Sequence, residues 1–220
     1  MPWPTGSLQR PITRQPEALI STTRHIAIKA AGNPEGKGLN GFLLDWYRTE
    51  PRGVVVKPQR QVLAEFFTSM LILSARFKYK PAVDVRNYLY FVDGRWLLSL
   101  IAPEEWSRAH RDGFVGTCVL HRDMTWTIDP SELVGEENLV SDAISRFYDA
   151  FADTLDSDLT LEEILPFYVR RMPYWQRLHA SAMSRSLRGT VILAGQRDIR
   201  CRHWQALLPK FDASLLAHDG

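Results

Sequence analysis

The chain has 220 residues, of which 45% are hydrophobic, 24% charged and 11% aromatic. This composition is typical of a globular protein and excludes the disordered, collagen-like and disulfide-framework classes. A formal charge of +2 is too small to indicate a polyanionic partner by itself. The two cysteines, Cys118 and Cys201, can close at most one disulfide. We therefore expect a cytoplasmic protein that needs neither disulfides nor a cofactor.

The first seven residues contain neither the basic nor the apolar region of a secretory signal. The longest nearly apolar run, residues 66–75, is about half as long as a bilayer requires, so we expect no membrane span. Four prolines within residues 1–16 disfavour helix formation and predict a flexible N-terminal arm. One α+β domain is predicted over residues 17–210, followed by a polar tail over residues 211–220.

Helical periodicity is strongest between residues 58 and 79. Residues 17–31 fit either a helix or a strand, and residues 39–47 fit a short amphipathic helix. From Pro58 onward, apolar side chains recur every three or four residues around most of the circumference, and Glu65 is one of the few polar exceptions. We therefore expect this helix to lie at the centre of the hydrophobic core.

The apolar period changes to 2 after Pro81, which predicts β-strands. Asp93 and Gly94 favour a type I′ turn, in which both central residues need positive φ. The expected pairs across this hairpin are Val92–Arg95, Phe91–Trp96, Tyr90–Leu97 and Leu89–Leu98. The expected core face carries Leu89, Phe91, Trp96, Leu98 and Leu100. The opposite face carries Tyr88, Tyr90, Arg95 and Ser99.

Two more strands are predicted over residues 114–121 and 124–128. They complete an antiparallel meander of about four strands within residues 85–129, packed on the buried helix. The C-terminal half, residues 135–210, is predicted to be helical.

Capping signals divide this helical half. A helix is expected over residues 138–155, and Thr160 and Glu163 form a capping box that opens the next one. Pro166 and Pro173 interrupt that helix. The remaining expectations are a helix that ends at Gly189, a short strand over residues 191–194 and a helix over residues 202–208.

Part of the predicted meander resembles a known family. The matching positions are Tyr88, Tyr90, Asp93, Gly94, Ser99, Ile101, Pro103, Glu105, Trp106, Phe114, Gly116 and the run 120–127. In this order and spacing they resemble the core of domain-of-unknown-function family 2452, over roughly residues 75–130. The resemblance implies a shared meander, and it implies no reaction and no catalytic residues.

The aromatic residues of this region have two interpretations. In the first, Trp106 and its neighbours are structural anchors of a thin sheet. In the second, Tyr88, Tyr90, Glu105 and Trp106 rim an exposed patch that binds a partner or a small ligand. Exposed Tyr and Trp suit such a role because they combine apolar area with a hydrogen-bonding tip.

No catalytic or metal-binding motif is complete in this sequence. Residues 32–38 lack one residue and the hydroxyl side chain of a phosphate-binding loop. Cys118, His121, Cys201 and His203 are ligand types for zinc, but their spacing is uncommon. We therefore expect no metal site. An enzyme remains an alternative, with a site near Glu105, His110 or His121.

Charge is strongly segregated in the C-terminal half. Residues 123–163 contain twelve acidic residues against Arg146 alone, a net charge of −11. Residues 166–210 contain nine basic residues against Asp198 alone, a net charge of +8. The simplest relationship is mutual docking, within the chain or between protomers. Alternatively, Arg170, Arg171 and Arg177, interleaved with aromatic residues, face a polyanion.

We interpret the protein as a non-enzymatic protein-binding or assembly module with a protein partner or self-association. Its expected contact surfaces are the Tyr88, Tyr90, Glu105 and Trp106 patch and the basic face over residues 170–188. Nucleic-acid binding through the basic segment is one alternative. A small-molecule enzyme is the other.

Overall fold

A four-stranded antiparallel sheet with helices packed against it forms the fold of the computed structural model. The structure describes residues 38–167 and 169–208. The predicted N-terminal arm, the ambiguous segment 17–31 and the polar tail lie outside these residues, as does all but the last residue of the glycine-rich loop 32–38. The predicted α+β class is confirmed.

All four strands lie within residues 86–130, and the elements that follow them in the described residues are helical. The α-helices are α1 Gly38–Arg48, α2 Gln59–Ser74, α3 Arg108–Arg111, α4 Leu139–Leu155, α5 Leu161–Ile164, α6 Tyr174–Leu193 and α7 Cys201–Leu207. The strands are β1 Arg86–Val92, β2 Arg95–Ser99, β3 Phe114–Leu120 and β4 Trp126–Pro130. Short 3₁₀ turns occupy Pro103–Glu105 and Glu132–Gly135.

Helix α2 is the central core helix, as its apolar periodicity predicts. Its buried apolar side chains are Val62, Leu63, Phe66, Phe67, Leu71, Ile72 and Leu73. The helix ends at Ser74, five residues before the predicted end, because the following backbone pairs with β2. The Arg76 amide donates to the Trp96 carbonyl oxygen at 2.9 Å, and the Leu98 amide donates to the Arg76 carbonyl oxygen at 3.1 Å.

The β1–β2 hairpin has the register that its turn predicts. Tyr90 pairs with Leu97 and Phe91 with Trp96, across a turn in which Asp93 has a φ of 52° and Gly94 a φ of 70°. A type I′ turn needs both positive angles, and its twist matches that of the flanking strands. The local sequence therefore determines the pairing.

The strand order, β2-β1-β3-β4, differs from that of a strict meander. β3 pairs with β1 rather than with β2, because the β2–β3 connection crosses the sheet and returns along the other edge of β1. Two hydrogen bonds hold this crossing. The Tyr90 hydroxyl donates to the Ile101 carbonyl oxygen at 2.8 Å, and the Phe91 amide donates to the Gly113 carbonyl oxygen at 2.7 Å.

The crossing also changes which side chains of the hairpin are buried. Leu89 and Leu98 are buried in the main core, as expected. Leu100, expected on the same face, is 55% exposed, because β2 ends at Ser99 before reaching it. On the opposite face, Tyr90 is fully buried beneath the connection.

Capping residues set the helix starts in the C-terminal half. The Asn138 side chain accepts hydrogen bonds from the amides of Val140 and Ser141, and the predicted capping box of Thr160 and Glu163 is present. α5 is only four residues long. Its successor, α6, begins directly after Pro173.

The expected helix stop at Gly189 and the expected strand over residues 191–194 are both wrong. α6 continues through Gly189 to Leu193, and Gly195, with a φ of 66°, lies just beyond its end. Gly189 instead allows close packing, since a Cβ there would lie 3.1 Å from Val54 Cγ1. At position 189, glycine allows the close contact with Val54 and does not end the helix.

Gly116 leaves no room for a side chain between β3 and β4. A Cβ at Gly116 would collide with the Asp129 carbonyl oxygen and lie 2.8 Å from Ile128 Cγ2. We expect Gly116→Ala to lower the free energy of unfolding, measured in urea, by about 1–3 kcal/mol, because the strands must separate. Gly135→Ala is the control, since nothing lies within 4 Å of its added methyl group. Equal effects of the two substitutions would contradict this packing.

Candidate functional site

A buried ion triad joins the segment before α2 to the β3–β4 turn. Lys57 Nζ donates to both carboxylate oxygens of Glu65, at 2.8 and 2.6 Å, and to Asp123 Oδ2 at 2.5 Å. The three side chains are only 10%, 3% and 9% exposed, in the same order. Lysine has three N–H donors, so this geometry uses all of them.

Further hydrogen bonds hold both carboxylates of the triad. Gln61 Nε2 donates to Glu65 Oε1 at 3.0 Å. Asp123 Oδ1 accepts from the backbone amide of Thr125 at 3.1 Å and from its hydroxyl at 2.7 Å. The triad is therefore fixed in position from α2 and from the β3–β4 turn.

The pKa values of Lys57 and Asp123 both favour the charged form of the side chain. Burial alone would lower the pKa of Lys57, but hydrogen bonds to Asp123 and Glu65 outweigh it and hold that pKa above its usual value. Burial alone would raise the pKa of Asp123, but hydrogen bonds from Lys57 and Thr125 hold it below its usual value. A lysine that stays protonated cannot act as a nucleophile or general base.

The triad forms the floor of a polar cavity of about 940 Å³ that opens to solvent. We call this cavity the Lys57 cleft. The exposed charged side chains Arg48, Glu50, Arg52, Asp84 and Arg122 also line it and form its rim. This volume lies within the range of about 300–1,000 Å³ that small-molecule sites have.

Three parts of the chain supply the rim arginines. Arg48 is the last residue of α1, which contacts α6 through a hydrogen bond from the Tyr174 hydroxyl to Asp45 Oδ2 at 2.8 Å. The Arg52 amide donates to the Arg122 carbonyl oxygen at 2.9 Å. That bond joins the segment after α1 to the β3–β4 turn.

Two residues that line the cleft have backbone conformations that L-amino acids seldom adopt. Asp84 has a φ of 60° and Met124 a φ of 68°. Left-handed backbone costs a residue with a side chain roughly 1–2 kcal/mol. Such strain clusters at binding and catalytic sites. Aspartate tolerates this conformation better than most residues do, so Met124 is the more strained of the two residues beside the cleft.

The aromatic side chains of the predicted patch are partly or fully buried, and Tyr90 packs against Trp106. Tyr90 is fully buried, and Tyr88 and Trp106 are half-buried. The Trp106 ring lies edge-on to Tyr90, with 6.1 Å between centroids. Glu105 is exposed in the adjacent 3₁₀ turn. These contacts make the cluster a second small core under the β2–β3 connection.

The predicted basic face does not form one continuous surface. Arg170 and Arg171 are exposed, whereas Arg177 is buried in α6. Farther along the segment, Arg188 contacts Glu162 at 2.8 Å and Arg202 contacts Asp158 at 3.1 Å. The expected mutual docking of the acidic and basic segments thus occurs within the chain.

The three residues named for an enzymatic site do not converge. His121 lines the Lys57 cleft, and its Nε2 lies 2.7 Å from the Thr127 hydroxyl. His110 stacks on Trp106, with 4.1 Å between ring centroids. His110 and Glu105 lie near the start of β3, and His121 follows its end. A strand of seven residues separates them.

The cysteines form no metal site with the histidines. Cys118 and Cys201 are both buried and unpaired by any disulfide. Burial raises the pKa of Cys118, and it raises that of Cys201 to about 11. Within residues 38–167 and 169–208, no group of three or more His, Cys, Asp or Glu side chains is arranged to hold a metal ion.

The sequence contains one signal for the triad that the charge patterns do not reveal. Glu65 is a carboxylate within the apolar circumference of α2, and a buried carboxylate needs a cationic partner. Nothing in the sequence identifies that partner as Lys57. Asp123, the third member, is 66 residues away from Lys57 along the chain.

Comparison with protein-family models, with curated proteins and with solved structures finds no match for this chain. The resemblance of residues 75–130 to domain-of-unknown-function family 2452 therefore stays a prediction. In the part of the chain that the structure describes, no helix combines the length and apolar character needed to span a bilayer.

Proposed function

We propose that this protein is a non-catalytic binding protein whose ligand carries an anionic group and occupies the Lys57 cleft. The observation that carries the proposal is the saturated triad on the floor. All three donors of Lys57 are used within the chain. A site that commits its lysine and carboxylates to one another offers a rigid binding surface rather than acid–base chemistry.

The rim arginines favour an anionic ligand. Arg48 and Arg52 are exposed beside the cleft, and neither forms a salt bridge with a residue that the structure describes. Arg122 contacts Asp84 at 3.4 Å, and both side chains are largely exposed, so this pair is weak. The guanidinium fork suits carboxylate and phosphate oxygens, which it binds with two parallel hydrogen bonds.

This proposal keeps the non-enzymatic binding role that the sequence indicates, and it places the ligand at a different site. Roles for Tyr88, Trp106, Arg170 and Arg171 in contacting a protein or nucleic acid stay predictions. A cytoplasmic location also stays a prediction.

The test is an NMR titration of backbone amides with inorganic phosphate and with acetate. We expect saturable shifts at the cleft, and we expect the double variant Arg48→Gln and Arg52→Gln to weaken the binding at least about tenfold, since charge-assisted hydrogen bonds are lost. Arg95→Gln, at the hairpin end of the sheet, is the control.

Two results would contradict the proposal. One is the absence of saturable shifts with either anion. The other is an unchanged affinity in the double variant, which would place anion binding elsewhere on the molecule.

A further inference from the structure

We infer that a surface formed by residues 76–80, Arg170 and Trp175 binds single-stranded nucleic acid. We call it the 76–80 surface. It contains none of the residues that line the Lys57 cleft, so the inference is independent of the function proposed for that cleft. It follows from exposed cations that the fold holds beside partly exposed aromatic rings.

Burial alternates along the segment that follows α2. Arg76, Lys78 and Lys80 are exposed. Between them, Phe77 is buried in the hydrophobic core, and Tyr79 is partly buried and packs against that core. Because the intervening aromatic residues face the core, the three cations share the side of the segment that faces solvent.

Contacts with the sheet and with α6 hold this segment in place. The backbone of Arg76 pairs with β2 through hydrogen bonds of 2.9 and 3.1 Å. Gln176 Nε2 donates to the Ala75 carbonyl oxygen, and the Tyr79 hydroxyl donates to Asn87 Oδ1 at 2.6 Å. A surface that is fixed before binding loses less conformational entropy when a ligand binds.

Acidic residues are absent from both parts of the chain that form this surface. Residues 66–83 contain no Asp or Glu, and neither do residues 164–197, which include α6. In the part of the chain that the structure describes, Arg76, Lys78 and Lys80 form no salt bridge. These cations are therefore available to phosphate groups of a polyanion.

Aromatic rings lie among the cations. Lys80 Nζ is 5.4 Å from the centroid of the Trp175 ring, which joins the segment to the start of α6. Trp175 and Tyr79 are both partly exposed, and Arg170 is exposed in the turn that precedes α6. Surfaces that bind single strands combine cations for the phosphates with rings on which bases stack. An acidic protein segment would use the cations but has no bases to stack on the rings.

Two matched strands separate the contribution of the bases from that of the phosphates. The probes are a fluorescein-labelled oligothymidylate of about 15 nucleotides and an abasic strand of the same length. We expect the oligothymidylate to bind at least about tenfold more tightly by fluorescence anisotropy at pH 7, since base stacking adds to the phosphate contacts.

Removing two of the cations should weaken binding and reduce its salt dependence. We expect the double variant Lys78→Gln and Lys80→Gln to bind the oligothymidylate at least about tenfold more weakly in about 0.1 M salt. The slope of log K against log salt concentration should fall by about 1.4, since each phosphate contact on a single strand contributes about 0.7. The double variant Arg108→Gln and Arg111→Gln, at exposed positions of α3, removes the same charge and should change neither quantity.

Four results would overturn the inference. The first is no binding of the oligothymidylate, and the second is equal affinity in the parent protein and the double lysine variant. The third is an abasic strand or polyglutamate that binds as tightly as the oligothymidylate, which would indicate an acidic protein partner or selection by charge alone. The fourth is binding that is lost in the Arg48→Gln and Arg52→Gln variant and retained in the lysine variant, which would place the strand in the Lys57 cleft.

Discussion

Replacing Lys57 with alanine is expected to lower the free energy of unfolding by about 3–5 kcal/mol, because two buried carboxylates lose their shared counter-charge. Glu65 and Asp123 are each less than a tenth exposed, so water entering from the cleft restores only part of the stabilisation that the lysine supplied. The measurement is equilibrium unfolding in urea at pH 7.

Lys78→Ala is the control for this substitution, since Lys78 is exposed and its removal is expected to cost less than about 0.5 kcal/mol. The loss at Lys57 should also shrink in acid, where protonation of buried carboxylates removes the charge that Lys57 compensates. A loss at pH 7 as small as that of the control would show that the triad contributes nothing to stability.

The free energy of unfolding is expected to fall between pH 7 and pH 4, and replacing His179 with leucine should make this fall smaller by about 3 kcal/mol. His179 is only 1% exposed in α6, and neither ring nitrogen has a hydrogen-bond partner within the described part of the chain. Burial, and secondarily the charge of Lys80, lowers the pKa of His179 from 6.5 to about 4.

The sign of this effect follows from proton binding. Between pH 6.5 and about 4 the unfolded chain binds a proton at His179 that the folded protein excludes. The stabilising contribution is therefore complete above pH 6.5 and is lost as the pH falls towards 4. Unfolding in urea at several values between pH 7 and pH 4 measures the slope.

The exposed His203 supplies the control. We expect the His203→Leu variant to retain the pH dependence of the parent protein and the His179→Leu variant to show a smaller one. Identical slopes for the parent protein and the His179→Leu variant would mean that His179 gains its proton in the folded state as readily as in the unfolded one.

The sequence predicts correctly those elements that depend on contacts between residues close together along the chain. The hairpin register follows from two turn residues that both adopt positive φ, and the capping box needs only Thr160 and Glu163. The expectation failed at Gly189, where a residue that often ends helices sits inside one. Its reason is a contact with Val54, 135 positions earlier in the sequence, which no local pattern contains.

The candidate site was less predictable than the fold. The sequence indicates His121 as part of an enzymatic alternative, and this residue does line the cleft. No sequence motif points to Lys57 or Asp123 as binding residues. Lys57 precedes a helix and Asp123 belongs to a turn, where charged residues are ordinary.

For the aromatic and basic surfaces, the sequence pattern likewise does not predict which side chains are buried by distant segments. Alternation along β1 correctly separates Leu89 from Tyr90 by face, but it cannot tell whether a later segment covers the second face. In the structure the β2–β3 connection covers Tyr90. In the same way, the charge of Arg177 predicts exposure, but α6 is buried around most of its circumference.

The sequence by itself determined the α+β class, the buried helix α2, the hairpin and its register, and the complementary charge of the two C-terminal segments. These features depend on periodicity, turn geometry and capping, which act over a few residues, or on the sum of charges. Only the tertiary structure decided the strand order, the burial of Tyr90 and the assembly of Lys57, Glu65 and Asp123 under one cleft. Each of these depends on where distant segments meet, and the burial of charge that gives the cleft its chemistry exists only once they have met.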